Sequence, residues 1–214
     1  MSAPNPTPIY RLIHIDNLAG ICQRQGIYAP NSVPDDEIPY RCIHHESIQE
    51  RRSTTGVSCG PRGVLHDYVP FYFGIMPPML LALRDGYVEG YHEGQEPLIY
   101  LVTSAQEIQQ AGLRFVFTDG QGIMSYTQFF DDLEHLRNVP WNIVNERYWF
   151  DTDEQPDRKR RKQAEFLVHR FCPWTLIKKI GVRTDLMRDR VQKILAEHTL
   201  IRPPLVAVQS QWYY

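Results

Sequence analysis

The chain has 214 residues, of which 43% are apolar, and a formal net charge of −2. This length is sufficient for one domain with a sizeable hydrophobic core. The nearly balanced charge excludes a protein that coats nucleic acid through overall basicity, so any nucleic-acid site has to come from a local patch.

Cysteine spacing and the N-terminal sequence indicate the compartment. The N-terminus, MSAPNPTPIYRL, lacks the basic start and apolar core of a signal peptide. No segment provides the roughly 20 unbroken apolar residues of a transmembrane helix. The four cysteines show no C-x-x-C spacing; they are Cys22, Cys42, Cys59 and Cys172. We therefore expect reduced thiols, a cytoplasmic location and no membrane segment.

The N-terminal quarter predicts one strand, one helix and a long irregular segment. Residues 9–13 read as a strand, and Asp16 then caps a helix that ends near Gly26. Residues 27–60 show weak periodicity, with a short helix over 43–52. Such a segment in a compact domain is typical of a functional loop or lid.

The longest apolar segment, residues 61–83, carries unusual polar groups. Three prolines, at positions 70, 77 and 78, exclude a regular helix through its middle. Residues 68–73 predict a buried strand, and residues 79–83 the start of a helix. His66, Asp67, Tyr68 and Tyr72 are then either satisfied within the core or presented to a ligand. Apolar walls with a few convergent polar groups are the usual form of a small-molecule pocket.

The remaining elements alternate irregularly. Strands are predicted over 98–102, 115–118, 180–183 and 204–208, and helices over 104–112, 129–136, 140–148 and 185–197, with a further short helix opened by Pro173. The helix at 104 begins with a capping box of Ser104 and Glu107. No regular βαβ repeat, G-x-G-x-x-G motif or P-loop occurs. The fold class is therefore α+β.

A run of five cations, RKRRK at 158–162, precedes a strand pattern. Such a run is usually a solvated face or loop. In the following QAEFLVHR, strand alternation directs Glu165 away from Ala164 and Phe166. Two hypotheses remain open from these residues. Glu165 is either a surface residue that balances the cations or a cleft carboxylate beside a phosphate-binding patch.

The sequence contains one candidate cluster of metal ligands. His44, His45 and Glu46 are adjacent, but no second cluster with matching spacing accompanies them. We therefore predict no metal site.

Several distinctive segments occur in one order along nearly the whole chain: PIYRLIHIDNL at 8–18, LHDYVPFYF at 65–73, PPML at 77–80, FVFTD at 115–119, KQAEFLV at 162–168 and WYY at 212–214. Together they resemble DarT, the family of DNA ADP-ribosyltransferase toxins of DarT–DarG toxin–antitoxin pairs. The resemblance implies an ADP-ribosyltransferase fold of the PARP-like kind, with a split mixed sheet around an NAD cleft and a single domain over 1–214. It further implies transfer of ADP-ribose to a thymine ring nitrogen in single-stranded DNA, within a preferred sequence context. It implies a monomer with a macrodomain antitoxin as partner.

The resemblance also carries residue roles. It places the catalytic glutamate on Glu165 and the catalytic arginine on Arg52, with Arg51 adjacent. Residues 27–60 are implied to cover NAD, and residues 119–162 to hold DNA. The residues implied to bind NAD, in addition to Arg52, are His14, Asn17, Gly20 and Tyr72. Within the cationic run, the residues expected to grip the DNA backbone are Arg158, Arg160 and Arg161.

Three hypotheses follow. The first is a DNA ADP-ribosyltransferase, for which NAD consumption requires DNA. The second is an NAD enzyme of the same fold that acts on protein, RNA or water, for which NAD consumption does not require DNA. The third is a non-catalytic single-strand binding protein, suggested by basic and aromatic residues alone.

Overall fold

The architecture is a large mixed sheet with helices packed around it. The computed structural model describes residues 2–200 and 202–214, and within these residues ten strands and seven α-helices form. The strands are β1 (Pro8–His14), β2 (Gly26–Tyr28), β3 (Tyr68–Tyr72), β4 (Leu98–Ser104), β5 (Phe115–Thr118), β6 (Phe129–Phe130), β7 (Glu165–His169), β8 (Phe171–Pro173), β9 (Lys179–Val182) and β10 (Leu205–Val208). The helices are α1 (Asn17–Gln23), α2 (Glu46–Thr54), α3 (Pro78–Arg84), α4 (Ala105–Gln110), α5 (Trp141–Val144), α6 (Arg158–Lys162) and α7 (Asp185–Ala196).

The main sheet consists of two halves that meet at β1 and β3. Its strand order is β10-β9-β4-β1-β3-β7-β5-β6. β9 and β10 are parallel, and the other neighbours are antiparallel. β1 pairs with β4 at seven positions, whereas its register with β3 consists of Tyr10 opposite Tyr72. The halves therefore diverge at this junction, as expected for a split sheet.

Strand alternation in β7 separates the core from the opposite face of the sheet. Ala164, Phe166 and Val168 lie in the main apolar core, where the Phe166 ring stacks on Phe115 at a centroid distance of 4.9 Å. Leu167 belongs to a different cluster on the other side. Because successive side chains point to opposite faces, Glu165 lies on the side of Leu167 and away from the main core. The predicted orientation of Glu165 is confirmed.

The helices predicted over 104–112 and 185–197 both form, and each begins with a side-chain cap. Ser104 Oγ accepts a hydrogen bond from the Glu107 N–H at 3.2 Å, and α4 follows. Thr184 Oγ1 accepts from the Met187 N–H at 3.3 Å, and α7 begins at the next residue, Asp185. α7 then buries one residue per turn, as an amphipathic helix requires; these residues are Met187, Val191 and Leu195. Among the described residues, no helix is both long enough and apolar enough to cross a bilayer.

The predicted helix over 129–136 is wrong. Phe129 and Phe130 form β6, paired with β5, and the Phe130 ring stacks on Phe117 at a centroid distance of 5.3 Å. Residues Leu133–Asn138 then form a 3-10 helix. The apolar spacing of this segment is compatible with a helix, but pairing with the sheet edge determines its conformation.

The predicted helix over 140–148 is too long. α5 ends at Val144. The Nζ of Lys162 donates to the carbonyls of Val144 and Glu146 at 2.7 and 2.6 Å. These carbonyls therefore take a distant ammonium as their partner, and Tyr148 lies exposed beyond the helix.

The first helix ends earlier than its sequence suggests. α1 ends at Gln23, and Gln25 adopts the left-handed conformation with φ of 55°. Gly26 instead begins β2, where a Cβ would lie 2.4 Å from the ring of Phe171. Asp16 occupies the N-cap position, but its side chain accepts no capping hydrogen bond from the described residues of the helix. The short β2–β8 pair was not predicted.

Candidate active site

A cleft of about 810 Å³ lies at the junction of the two half-sheets. Its walls include residues of β1, β3 and α3 as well as much of the irregular segment between β2 and α2. Pockets for small molecules commonly occupy about 300–1,000 Å³. The titratable side chains in its lining include those of Arg11, His44, Arg52, His66, Tyr72 and Glu165.

A buried ion pair between Arg52 and Glu165 lies in this cleft. Arg52 Nη1 donates to Glu165 Oε1 at 3.0 Å and lies 2.9 Å from Oε2. The two residues are only 8% and 3% exposed. The backbone N–H of Gly122 donates to the same Oε1 at 3.1 Å. Breaking a buried pair of this kind destabilises a protein by about 3–5 kcal/mol, because one charge is left without compensation.

The sheet register holds the carboxylate in position. Glu165 is the first residue of β7 and lies opposite Tyr72 of β3, so that their side chains share one face. The Glu165 N–H donates to Thr118 Oγ1 at 3.0 Å, and this hydroxyl donates to the Gly120 carbonyl at 2.6 Å. Burial, followed by the charge of Glu165, raises the pKa of the Tyr72 hydroxyl. Tyr72 therefore stays a neutral group beside the carboxylate.

Two atoms of the ion pair retain unused hydrogen-bonding capacity. Arg52 Nη2 and Glu165 Oε2 are buried, and neither has a hydrogen-bond partner among the described residues. Buried polar atoms are satisfied in the great majority of cases, and exceptions often mark functional sites. A guanidinium N–H and a carboxylate oxygen side by side can bind a ligand that offers both an acceptor and a hydroxyl donor.

The two adjacent arginines of α2 have different environments. Arg51 is exposed, and its Nη2 donates to the Ile123 carbonyl at 3.2 Å. Arg52 is buried and contacts the carboxylate of Glu165. The structure therefore brings Arg52, and not Arg51, together with Glu165.

Two histidines line the cleft near the ion pair; His66 was left open between the core and a ligand, and His44 was not predicted as a site residue. Burial lowers the pKa of His44 to about 4, with further contributions from Arg11 and Arg52. Burial also lowers the pKa of His66, whose Nε2 lies 3.2 Å from Gln49 Oε1. Both rings are consequently neutral near pH 7. The sequence offered one signal for His44 as a site residue, its position within the predicted lid at 27–60.

Residues His14, Asn17 and Gly20 lie beside the cleft under another segment. Asn17 Nδ2 donates to the Arg41 carbonyl at 2.9 Å, and Asn17 Oδ1 accepts from the Arg41 N–H at 2.6 Å. A Cβ on Gly20 would lie 2.7 Å from Ile38. His14 is buried, and burial lowers its pKa. None of the three residues contacts Arg52 or Glu165; residues 38–41 cover Asn17 and Gly20, whereas His14 contacts Asp16 and Glu93.

The cationic run forms α6 and is not uniformly solvated. Arg160 is 9% exposed and binds Asp119 and Asp157, with Nη1 to Asp119 Oδ1 at 2.9 Å and Nη2 to Asp157 Oδ2 at 2.7 Å. The hydrogen bond from Arg160 lowers the pKa of Asp157. Lys162 is also buried, and this burial lowers its pKa to about 8. The expectation of a solvated run is therefore wrong for these two residues.

The predicted DNA-contacting residues accordingly divide into two groups. The guanidinium of Arg160 is already neutralised by carboxylates from two segments, so it anchors the chain between residues 119 and 157. Arg158 and Arg161 are partly exposed. Of the three predicted residues, these two have no carboxylate partner among the described residues. In the described part of the chain, no group of three or more His, Cys, Asp or Glu residues is arranged to hold a metal ion.

Comparisons with known proteins agree on one family. The family model described as "ssDNA thymidine ADP-ribosyltransferase, DarT" matches residues 10–214. A DNA ADP-ribosyl transferase of Thermus sp. (strain 2.9) is 45% identical over 211 residues, which cover 99% of this chain and 98% of the relative. A DNA ADP-ribosyl transferase of Escherichia coli O127:H6 is 28% identical over 99% of this chain and 95% of the relative.

Solved structures show the same similarity in three dimensions. Thermus sp. 2.9 DarT in complex with ADP-ribosylated ssDNA is similar with a TM-score of 0.93 and 44% identity, covering 100% of this chain and 99% of that chain. The same protein in complex with NAD+ is similar with a TM-score of 0.88 and 41% identity, covering 100% of both chains. The similarity therefore extends over the whole architecture.

The fold, together with its similarity to DarT in complex with NAD+ and to proteins described as DNA ADP-ribosyl transferases, defines an NAD-dependent DNA ADP-ribosyltransferase. The chain belongs to the DarT family of ssDNA thymidine ADP-ribosyltransferases. The predicted family, fold and enzyme class are thereby confirmed. The hypothesis of a non-catalytic binding protein is wrong.

Proposed function

We propose that this enzyme transfers ADP-ribose from NAD to a ring nitrogen of thymine in single-stranded DNA, with release of nicotinamide and a preference for particular flanking bases. The observation that carries the proposal is the buried Arg52–Glu165 pair, which presents two unpartnered atoms within a cleft of about 810 Å³. The relatives named as DNA ADP-ribosyl transferases support the choice of DNA as acceptor.

Glu165 acts on the ribose and on the attacking base in this proposal. Cleavage between ribose C1′ and nicotinamide develops positive charge on the ribose, and a carboxylate held by a ribose hydroxyl stabilises that charge. Oε2 of Glu165 lies in ion-pair contact with Arg52 Nη1 but accepts no hydrogen bond from a described residue, so it can accept this hydroxyl. A thymine N–H is a weak nucleophile until it loses its proton, and the same carboxylate can accept it.

Arg52 has a different role. Its planar fork is suited to holding two acceptor oxygens at once, such as phosphate oxygens or a thymine oxygen that gains negative charge as the proton leaves. Nη1 is engaged with Glu165, and Nη2 has no hydrogen-bond partner among the described residues. Arg52 can therefore orient Glu165 and contact a substrate oxygen through separate nitrogens.

The remaining NAD contacts are assigned to β1, α1 and β3. We assign Tyr72 to the nicotinamide end, because it lies opposite Glu165 and lines the cleft. We assign His14, Asn17 and Gly20 to the same co-substrate, and residues 27–60 to its cover. Support comes from the position of Tyr28, Tyr40 and Ile43 in the cleft wall, together with the hydrogen bonds between Asn17 and Arg41.

Residues 119–162 are assigned to DNA, with Arg158 and Arg161 as backbone contacts. The double change Arg158→Ala and Arg161→Ala is expected to flatten the dependence of log affinity on log salt concentration. Each lost contact should reduce the slope by about 0.7 on single strands. Arg160 is left unchanged because it is buried against Asp119 and Asp157. The measurement is DNA binding over a salt series, alongside NAD titration, which should be unaffected.

A matched control for this prediction is Lys193→Ala, which removes an exposed cation on α7. Its salt slope should equal that of the wild type. An unaltered slope in the double variant would assign Arg158 and Arg161 to the solvated surface alone.

The test of the proposed function uses labelled NAD with single-stranded oligonucleotides that contain or lack thymine. Label is expected to appear only on thymine-containing strands, and NAD consumption should depend on them. The reaction should proceed in EDTA, because Glu165 and Arg52 supply the charge stabilisation. NAD consumption that is equally fast without DNA, or label on RNA or protein, would instead identify an enzyme of the same fold with another acceptor.

We further propose a macrodomain antitoxin as partner, a monomeric enzyme and a cytoplasmic site of action. Membership of the DarT family supports the first. The four cysteines, all free in the structure, are consistent with a reducing compartment. Removal of ADP-ribose from modified oligonucleotides by the antitoxin, and the mass of the purified enzyme in solution, would test the first two.

A further inference from the structure

A pair of aromatic rings, Trp149 and Phe150, lies at the mouth of the cleft. Both residues line it, and their rings stack at a centroid distance of 4.5 Å with an interplanar angle of 26°. Trp149 is only 4% exposed, whereas Phe150 is 58% exposed. Burial of a phenylalanine ring is favourable, and this fold leaves most of the Phe150 ring in solvent. The outer ring is therefore available to a ligand.

The inner ring is held rigidly from behind. Trp149 Nε1 donates to the Tyr214 hydroxyl at 2.6 Å, and this hydroxyl donates to the Met76 carbonyl at 2.8 Å. The guanidinium groups of Arg84 and Arg147 lie 5.5 and 5.8 Å from the centroid of the Tyr214 ring. Phe150 consequently rests on a preorganised support that α3, the loop before it and the C-terminal segment provide together.

Two cations of the run at 158–162 lie near the aromatic pair. Lys159 lines the same cleft, and Arg158 Nη2 donates to the carbonyl of Tyr148 at 2.6 Å, which places a guanidinium beside the aromatic pair. An aromatic platform beside cations that follow a backbone is the arrangement by which proteins bind single-stranded nucleic acids. An apolar partner protein would not require the cations.

We propose that Phe150 stacks on a nucleobase that flanks the modified thymine in single-stranded DNA, and that Trp149 is the positioning residue that supports it. This inference rests on the proposed function and adds a recognition residue to it. An unpaired base next to the target remains stacked on Phe150, while the target thymine enters the cleft toward Glu165. Stacking of one base on an aromatic side chain corresponds to roughly 5- to 150-fold in affinity.

The test combines Phe150→Ala and Phe150→Trp with thymine oligonucleotides in which each neighbour of the thymine is replaced in turn by an abasic residue. We expect Phe150→Ala to raise KM for intact DNA by roughly 5- to 150-fold, the range for stacking of one base. NAD affinity without DNA should be unchanged. For the oligonucleotide that lacks the stacked base, the wild type and Phe150→Ala should have nearly equal KM. Phe150→Trp should retain wild-type KM for intact DNA.

The control variant is Leu186→Ala, which removes an equally exposed apolar side chain from α7. It should behave as the wild type on every oligonucleotide. A Phe150→Ala effect of the same size on intact and all abasic strands, no effect at all, or an equal loss of NAD affinity would each overturn the stacking proposal. A wild-type enzyme that is inactive on every thymine oligonucleotide would overturn the proposed function, and the stacking proposal with it.

Discussion

Replacing Glu165 with glutamine is expected to lower kcat for DNA ADP-ribosylation by about 100-fold or more, the effect typical of losing one electrostatic contact to a transition state. NAD affinity should change far less, because the carboxylate charge matters most when positive charge develops on the ribose. The measurement is calorimetric NAD titration together with single-turnover modification of a thymine oligonucleotide. Cells that express this variant should escape toxicity.

Glutamine is preferred over alanine because of the buried pair. In Glu165→Ala, Arg52 would lose its partner inside the protein, at a cost of about 3–5 kcal/mol. Glutamine keeps an oxygen that can accept from Arg52 and Gly122 and removes only the charge. The matched control is Glu107→Gln, which neutralises a half-exposed carboxylate paired with Lys178. A folded Glu165→Gln enzyme with near wild-type modification would contradict the catalytic assignment.

The second large effect is expected for Arg52→Lys. An ammonium can pair with Glu165 but cannot also present a second nitrogen to the substrate, so catalytic efficiency should fall by on the order of 100-fold. Unlike Glu165→Gln, this variant should also bind its substrates more weakly. Kinetic measurements that vary NAD and DNA separately will show whether KM for either substrate rises.

Arg51→Lys is the control for this experiment, since it makes the same exchange at the exposed neighbouring position. It should retain near wild-type activity and unchanged KM values. The opposite pattern, with Arg51→Lys inactive and Arg52→Lys active, would transfer the catalytic role to Arg51. Thermal unfolding of both variants separates a loss of chemistry from a loss of folding.

Local patterns were reliable where one element is determined by its own residues. The capping residues Ser104 and Thr184 begin α4 and α7, because a cap needs only a hydroxyl and an N–H three residues later. Alternation in β7 likewise predicted that Glu165 points away from Phe166. The distinctive segments along the chain were sufficient to identify the family and thereby the enzyme class.

Local patterns failed where a residue far away in the sequence determines the conformation or the burial of a segment. The spacing of Phe129, Phe130 and Leu133 is compatible with a helix, but pairing with β5 makes the first two a strand. The run at 158–162 suggests a solvated face, yet Arg160 is buried by Asp119, 41 residues away in sequence. Charge patterning within a window carries no information on such a partner.

The sequence by itself determined most strands of the main sheet, the helices α4 and α7, the family and the direction in which Glu165 points, because each depends on neighbours in the chain or on a recognisable segment. Only the tertiary structure decided which arginine meets the carboxylate. Arg51 and Arg52 are adjacent in one helix, and successive helix residues point about 100° apart, so one faces the cleft and the other faces solvent. The hydrogen bond from the Gly122 N–H to Glu165 and the hydrogen bond from Trp149 to Tyr214 likewise join segments that lie far apart in the chain.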